Sequence, residues 1–272
     1  MARLSVNELT TYRWSLDEDV QNFAAAGFAA IGVWRQKLSD YGEDKGAELI
    51  REAGLHVSSL QWAGGFTGSD GRTHQESIDD ALDAVRLAAD LQAGCLVLHT
   101  GARAGHTHNH ARRLVKCALT DIARLAEESG VMLALEPMHP GCAGDWTFVT
   151  NLDQALELIA DVNSPALRLA LDTYHLCQDG LPPLPVEIVE KIALVQLGDA
   201  RQPPDGEQNR CRLGTGKIPL ADIVTRLLAA GYCGDWEIEL LGEDIEATDY
   251  RELLVQSRHT ATQWFGTARK IA

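Results

Sequence analysis

A short phrase recurs five times along the 272 residues: a helical stretch, a glycine, then a β-rich apolar run. It stands at Ala26-Gly27-Phe28, Ala53-Gly54-Leu55, Ala93-Gly94-Cys95, Ser129-Gly130-Val131 and Ala230-Gly231-Tyr232. Glycine takes the left-handed conformation that ends a helix, so each phrase reads as a helix stop followed by a strand. The stretches between carry helical periodicity: Ile78, Ala81, Leu82, Val85, Ala88 and Ala89 form one apolar stripe, and Leu220, Ile223, Val224, Leu227 and Leu228 form another. Thr73-His74-Gln75-Glu76 supplies a capping box before the first stripe. Short apolar runs at 3–7, 29–34, 55–61, 95–99, 131–136, 167–172, 192–197 and 236–240 read as strands buried on both faces, as in a parallel sheet.

Eight strands, almost all followed by a helix-like stretch, predict an α/β fold, a single (β/α)8 TIM barrel over residues 1–272. The Pro-rich segment 181–191 is its weakest unit. An open doubly wound sheet is the alternative, but no GxGxxG follows the first strand. The loop 200–216, rich in Pro, Gln, Asp and Arg, has the length of a functional loop.

With 24 Lys+Arg against 39 Asp+Glu the formal charge is −15, which repels phosphate backbones and anionic lipid, so neither nucleic acid nor membrane is an expected partner. No apolar run approaches the roughly 20 residues of a span, and the N-terminal residues turn polar too early for a signal peptide. Six cysteines without a CxxC pair read as reduced thiols, and the expected location is cytoplasmic. The tract Gly105-His106-Thr107-His108-Asn109-His110 reads as a solvated loop at a helix start, because alternating histidines on a helix do not face one ion.

In such a barrel the C-terminal strand ends share one mouth. They offer Asn7, Trp34-Arg35, Gln61-Trp62, His99-Thr100, Glu136, Asp172, Gln196 with Asp199, and Glu239. A single carboxylate at a strand end is commonly a helix cap or a loop acceptor. Convergent acids behind apolar runs repel one another unless a shared proton or a cation compensates, and a divalent metal is the simplest compensation.

Leu135-Glu136-Pro137-Met138, Leu171-Asp172-Thr173-Tyr174-His175, Val195-Gln196-Leu197-Gly198-Asp199 and the closing Gly231 to Glu239, with Gly214-Thr215-Gly216-Lys217-Ile218, resemble the xylose isomerase-like sugar isomerase/epimerase superfamily. Within it, the Asp172-Thr173-Tyr174-His175 and Gln196-Leu197-Gly198-Asp199 versions look most like the hydroxypyruvate isomerase branch. The resemblance implies that Glu136, Asp172, Gln196 and Glu239 bind one divalent metal. It also implies that Glu136 and Glu239 act as proton-transfer groups on opposite sides of the substrate, and that His175 contacts a substrate oxygen. Many relatives carry histidine at Gln196, asparagine at His139 and glutamate at Cys142, so the chain departs from the standard ketose 3-epimerase pattern.

Independently of that resemblance, removing a proton beside a carbonyl leaves an enediolate oxygen, which a cation stabilises while two carboxylates move the proton. Four oxygen donors suit Mn2+ or Mg2+ better than Zn2+. The expected activity is therefore isomerisation or epimerisation of a small sugar, keto sugar or hydroxy-keto acid, with a metal-dependent lyase or dehydratase of a keto-polyol as the alternative. An endonuclease IV-like DNA-repair enzyme would need more histidine ligands and a basic surface. A noncatalytic sugar-binding module and a glycoside hydrolase using Glu136 and Glu239 are further alternatives, the hydrolase requiring its carboxylates free of metal at about 5 Å or more apart.

His99, Trp62, His139 and Arg201 complete the candidate substrate contacts, each with a structural alternative: a packed hydrogen bond for His99 and His175, a barrel cap for Trp34 and Trp62, a solvated side chain for Arg201, Arg210 or Arg212. A homo-oligomer through the helix layer is compatible with such a barrel.

Overall fold

The computed structural model describes residues 3–144 and 146–271. Eight strands close into one barrel in chain order: β1 (Arg3–Asn7), β2 (Ala30–Trp34), β3 (His56–Gly64), β4 (Leu96–His99), β5 (Leu133–Leu135), β6 (Leu167–Asp172), β7 (Ile192–Leu197) and β8 (Asp235–Ile238). All neighbours are parallel, and β1 pairs with β8 to complete the circle. Helices between the strands cover the outside. The expected weak unit at 181–191 forms only a four-residue helix, Val186–Val189.

Four of the five glycine stops hold a positive φ: Gly27, Gly54, Gly130 and Gly231. At the third phrase Gln92 takes the left-handed turn instead. Gly94 is needed there for space, because a Cβ on it would lie 2.7 Å from the Ser58 carbonyl. Thr73 makes the capping box with Glu76, and Thr107 caps the helix His108–Ser129, one residue earlier than the expected start near Asn109.

Side chains alternate across each strand. Outward residues such as Val6, Leu96, Leu98, Leu133, Leu135, Leu169, Leu171, Val195 and Trp236 pack under the helices in the main core. Trp236 stacks edge-on with Tyr232 and with Phe265 of the last helix, Tyr250–Ile271. Inside the barrel a separate small cluster, Cys95, Val97, Ala134, Ala170 and Leu194, fills the β4–β7 side. Two residues further along these same strands come His99, Glu136, Asp172 and Gln196. The period of two thus places a polar layer directly above an apolar one.

Candidate active site

The polar layer is almost wholly buried: Asp172 and Gln196 are fully enclosed, and His99, Glu136, His175 and Glu239 lie between 3% and 8% exposed. Glu136 accepts from or donates to His99 Nε2 at 2.9 Å, and its other oxygen lies 3.7 Å from His175 Nε2. Asp172 caps the short helix Thr173–Leu176 by accepting from Tyr174 N–H at 2.7 Å, which sets His175 on the mouth side of the same turn. His175 Nε2 is 3.8 Å from Asp172 Oδ2, and its Nδ1 is 3.6 Å from Cys142 Sγ.

Arg210, from the long loop after β7, is fully buried among these groups. Its Nη2 donates to Asp172 Oδ2 at 2.7 Å and to Glu239 Oε1 at 3.1 Å, while Nη1 donates to the Glu239 carbonyl at 3.0 Å. The guanidinium lies 4.6 Å above the Tyr174 ring. Gln196 Nε2 donates to Glu239 Oε2, which also receives Asn7 Nδ2 at 3.0 Å.

Burial dominates the electrostatics. It raises the Asp172 carboxyl to about 6 even against Arg210, with Glu136 adding to the rise. Glu239 is pushed well above the usual carboxylate range by burial and by Glu136 and Asp172, with Arg210 opposing. Burial, assisted by Arg210, drives His175 well below the ordinary imidazole value, so it is neutral and keeps a lone pair. The Cys142 thiol is raised to about 11 by burial and stays protonated at neutral pH.

Glu136, Asp172 and His175 each offer an atom within 4.8 Å of the others, close enough to hold a metal ion. The buried Gln196 Oε1 has no hydrogen-bond partner, so an acceptor is left over beside these acids. Both observations fit a divalent cation, whose charge offsets the excess of carboxylate over the single Arg210.

Of the sequence candidates, Glu136, Asp172, His175, Gln196, Glu239 and His99 come together. Trp62 lies at the edge, its ring 5.8 Å from His99 and 5.0 Å from Trp146. These three rings line a cavity of about 250 Å3 with Gly64, Ser69, Asp70 and Arg72. On its other side Trp62 borders a second cavity, of about 360 Å3, with Trp34, Arg35 and Asp80. His139 makes no hydrogen bond to the acids; its Nδ1 accepts from Gly141 N–H at 3.0 Å.

Arg201 is a correction: it lies on the surface, 63% exposed, and pairs with Asp244. Among the three loop arginines only Arg210 turns inward, because Asp199 ties the loop ends together by accepting from Ala200, Gly214 and Gly216 N–H. His106, just before the Thr107 cap, packs its ring 4.8 Å from that of His110 in the first turn of the helix and meets the Thr67 carbonyl through Nε2 at 3.2 Å. Sequence reasoning passed over Glu237, although its position two residues before Glu239 on β8 places it on the same inward face. Trp146 carried no periodic signal, since it sits in the loop after β5.

The family described as "Xylose isomerase-like TIM barrel" matches residues 20–257, and the chain belongs to it. A candidate hydroxypyruvate isomerase of Streptomyces coelicolor is 27% identical over 262 residues, covering 86% of this chain and 89% of the relative. A 3-dehydroshikimate dehydratase of Pseudomonas putida is 23% identical across 88% of this chain, which spans only 38% of that longer protein. Among solved structures, the Sinorhizobium meliloti protein SMc04130 superposes with a TM-score of 0.86 at 30% identity, covering 96% of this chain and 97% of its own. The IOLI protein with a bound zinc atom shares the fold at a TM-score of 0.82 and 22% identity, covering 98% and 99%. Among the described residues no helix is long and apolar enough to cross a membrane.

Proposed function

We propose that this chain is a divalent-metal-dependent isomerase or epimerase of a small sugar, keto sugar or hydroxy-keto acid, with Glu136 and Glu239 as its two proton-transfer groups. One observation carries the reading. Glu136 follows β5 and Glu239 follows β8, three strands apart around the mouth, yet both reach the group formed by Asp172, His175 and Arg210. Two carboxylates facing a bound substrate from different walls can remove a proton from one carbon and return one to its neighbour or to its other face.

Glu136, Asp172, Glu239 and the Gln196 carbonyl would hold the cation, with His175 within reach of the same position. When bound, the ion supplies positive charge to a substrate oxygen as the adjacent carbon loses its proton. The oxygen donors favour Mn2+ or Mg2+; entry of the His175 nitrogen into the ligand set moves the preference toward Mn2+ or Zn2+. Neutral His175 and the fixed Arg210 fork orient substrate oxygens, and Trp62 with His99 walls the entrance.

The similarity to a dehydratase favours a second reading, in which the same acids lead to loss of a β-hydroxyl. Turnover of a panel of keto sugars and keto acids with Mn2+ in deuterated water tests both. Deuterium incorporation with isomerised or epimerised product supports the first reading, and incorporation with loss of water supports the second. Full turnover by E136Q or E239Q would overturn the two-glutamate chemistry.

A further inference from the structure

Beneath Glu239 on the same inward face of β8 lies a second carboxyl, Glu237, fully buried in the barrel. Four donors from two strands surround it. Ser58 Oγ and Ser59 Oγ donate to Oε2 at 2.6 and 2.7 Å, while Asn7 Nδ2 and Gln61 Nε2 donate to Oε1 at 2.9 and 3.2 Å. Space is reserved for it as well: a Cβ on Gly32 of β2 would come 2.5 Å from Glu237 Oε2. On the β4–β7 side the equivalent volume is filled by Val97, Ala134, Ala170 and Leu194. Filling the β8 side in the same way would avoid the desolvation of a carboxyl, so packing alone does not account for the cradle.

What the cradle fixes is Asn7, the last residue of β1. Its Oδ1 accepts from Leu9 N–H at 2.9 Å, which leaves only one orientation of the amide and turns both Nδ2 hydrogens inward. One hydrogen goes to Glu237 Oε1 and the other to Glu239 Oε2, at 2.9 and 3.0 Å. Glu239 Oε2 is thereby held from below by Asn7 and from the β7 side by Gln196 Nε2, and Oε1 is left toward Arg210.

We propose that Glu237 and Asn7 are positioning residues for Glu239: Glu237 anchors the Asn7 amide, and Asn7 fixes the rotation of the Glu239 carboxylate. This rests on the proposed role of Glu239 in proton transfer. A carboxylate free to rotate away from the reacting carbon loses catalytic geometry without losing the fold.

The test compares wild type, N7L and E237M by crystallography, thermal unfolding and kinetics, with saturating Mn2+ and a panel of hydroxypyruvate, a ketopentose and a ketohexose. The expected result is a displaced Glu239 carboxylate and a kcat lowered about tenfold or more, with KM within about threefold. E237M leaves the Ser58, Ser59, Asn7 and Gln61 donors without their buried acceptor, so its Tm should fall, and kcat is compared at a temperature well below the Tm of every variant. A kcat loss that merely follows a collapse in Tm in both variants would overturn the proposal. So would an unmoved Glu239, or an unchanged kcat, in a wild-type-active background. A displaced Glu239 in a protein that turns over none of the panel with Mn2+ would sink the proposed function and leave the positioning link standing.

Discussion

Two groups of buried acids lie close to β1, and they are built differently. Behind the strand, Lys37 Nζ donates to Asp19 Oδ2 at 2.5 Å and to the carbonyls of Glu8 and Thr11 at 3.1 and 3.0 Å. All three ammonium hydrogens are engaged, and Thr11 Oγ1 donates to Asp19 Oδ1 at 2.6 Å. Glu8 receives the Trp34 N–H, and burial with the nearby Asp19 raises it well above the usual carboxylate range. One cation there serves two acids, Asp19 directly and Glu8 through its carbonyl. At the mouth, Asp172 and Glu239 share the buried Arg210, Glu136 faces His99 and His175 instead, and the Gln196 carbonyl has no donor. Both groups are deeply buried and both have raised carboxyl pKa values, so neither property separates structure from function. Each group also leaves one buried acceptor unpaired, Glu8 Oε1 behind the strand and Gln196 Oε1 at the mouth. The separation lies in how many acids gather around one cation, two behind the strand and three at the mouth.

The contrast can be broken most sharply at its chemical end. E136Q or E239Q should lower kcat by about 10²- to 10⁴-fold while circular dichroism and Tm report an intact fold. Next in size is the Lys37 group: K37M leaves Asp19 without its cation in the interior and should destabilise the protein by about 3–5 kcal/mol in urea unfolding. Mn2+ affinity of the folded K37M protein should match wild type; a large loss would mean that the two groups are coupled.

Acidity sharpens the comparison further. Burial raises Asp19 and Asp172 to about 6 and Glu237 to about 7. Between about pH 4 and 7 the folded chain therefore binds more protons at these groups than the unfolded chain, and their contribution to stability falls as pH rises through that window. With the proposed site formed only in the folded chain, Mn2+ should raise Tm by several degrees at pH 7.5, with chelation reversing the gain, and by less at pH 5, where protonation of Asp172 competes with the ion. Equal stabilisation at both values would place the ion elsewhere. The smallest expected effect is at the surface: R201M removes an exposed pair with Asp244 and should change Tm by less than about 2 °C and leave turnover within about twofold.

Much of the site was legible because strands have a period of two. A carboxylate or amide that ends an apolar run, as Glu136, Asp172, Gln196 and Glu239 do, must share the mouth once the sheet closes. The same period reveals Glu237 when it is applied two residues earlier on β8. Arg210 obeys no period. Nothing in the loop 200–216 distinguishes it from Arg201 or Arg212, and only the Asp199 contacts and the Tyr174 ring fix which arginine points inward. His139 follows Glu136 by only three residues, yet a local turn with Gly141 engages it.

The sequence by itself determined the repeated strand and helix units, the closed barrel they imply and the layer of oxygen donors at the strand ends, since these follow from local backbone preference and periodic burial. The tertiary structure decided which cation the acids share, which acceptor is left over and how Asn7 joins Glu237 to Glu239. Those contacts cross 230 and 232 residues of chain from Asn7, and their partners are set by space and hydrogen-bond direction rather than by neighbours in sequence.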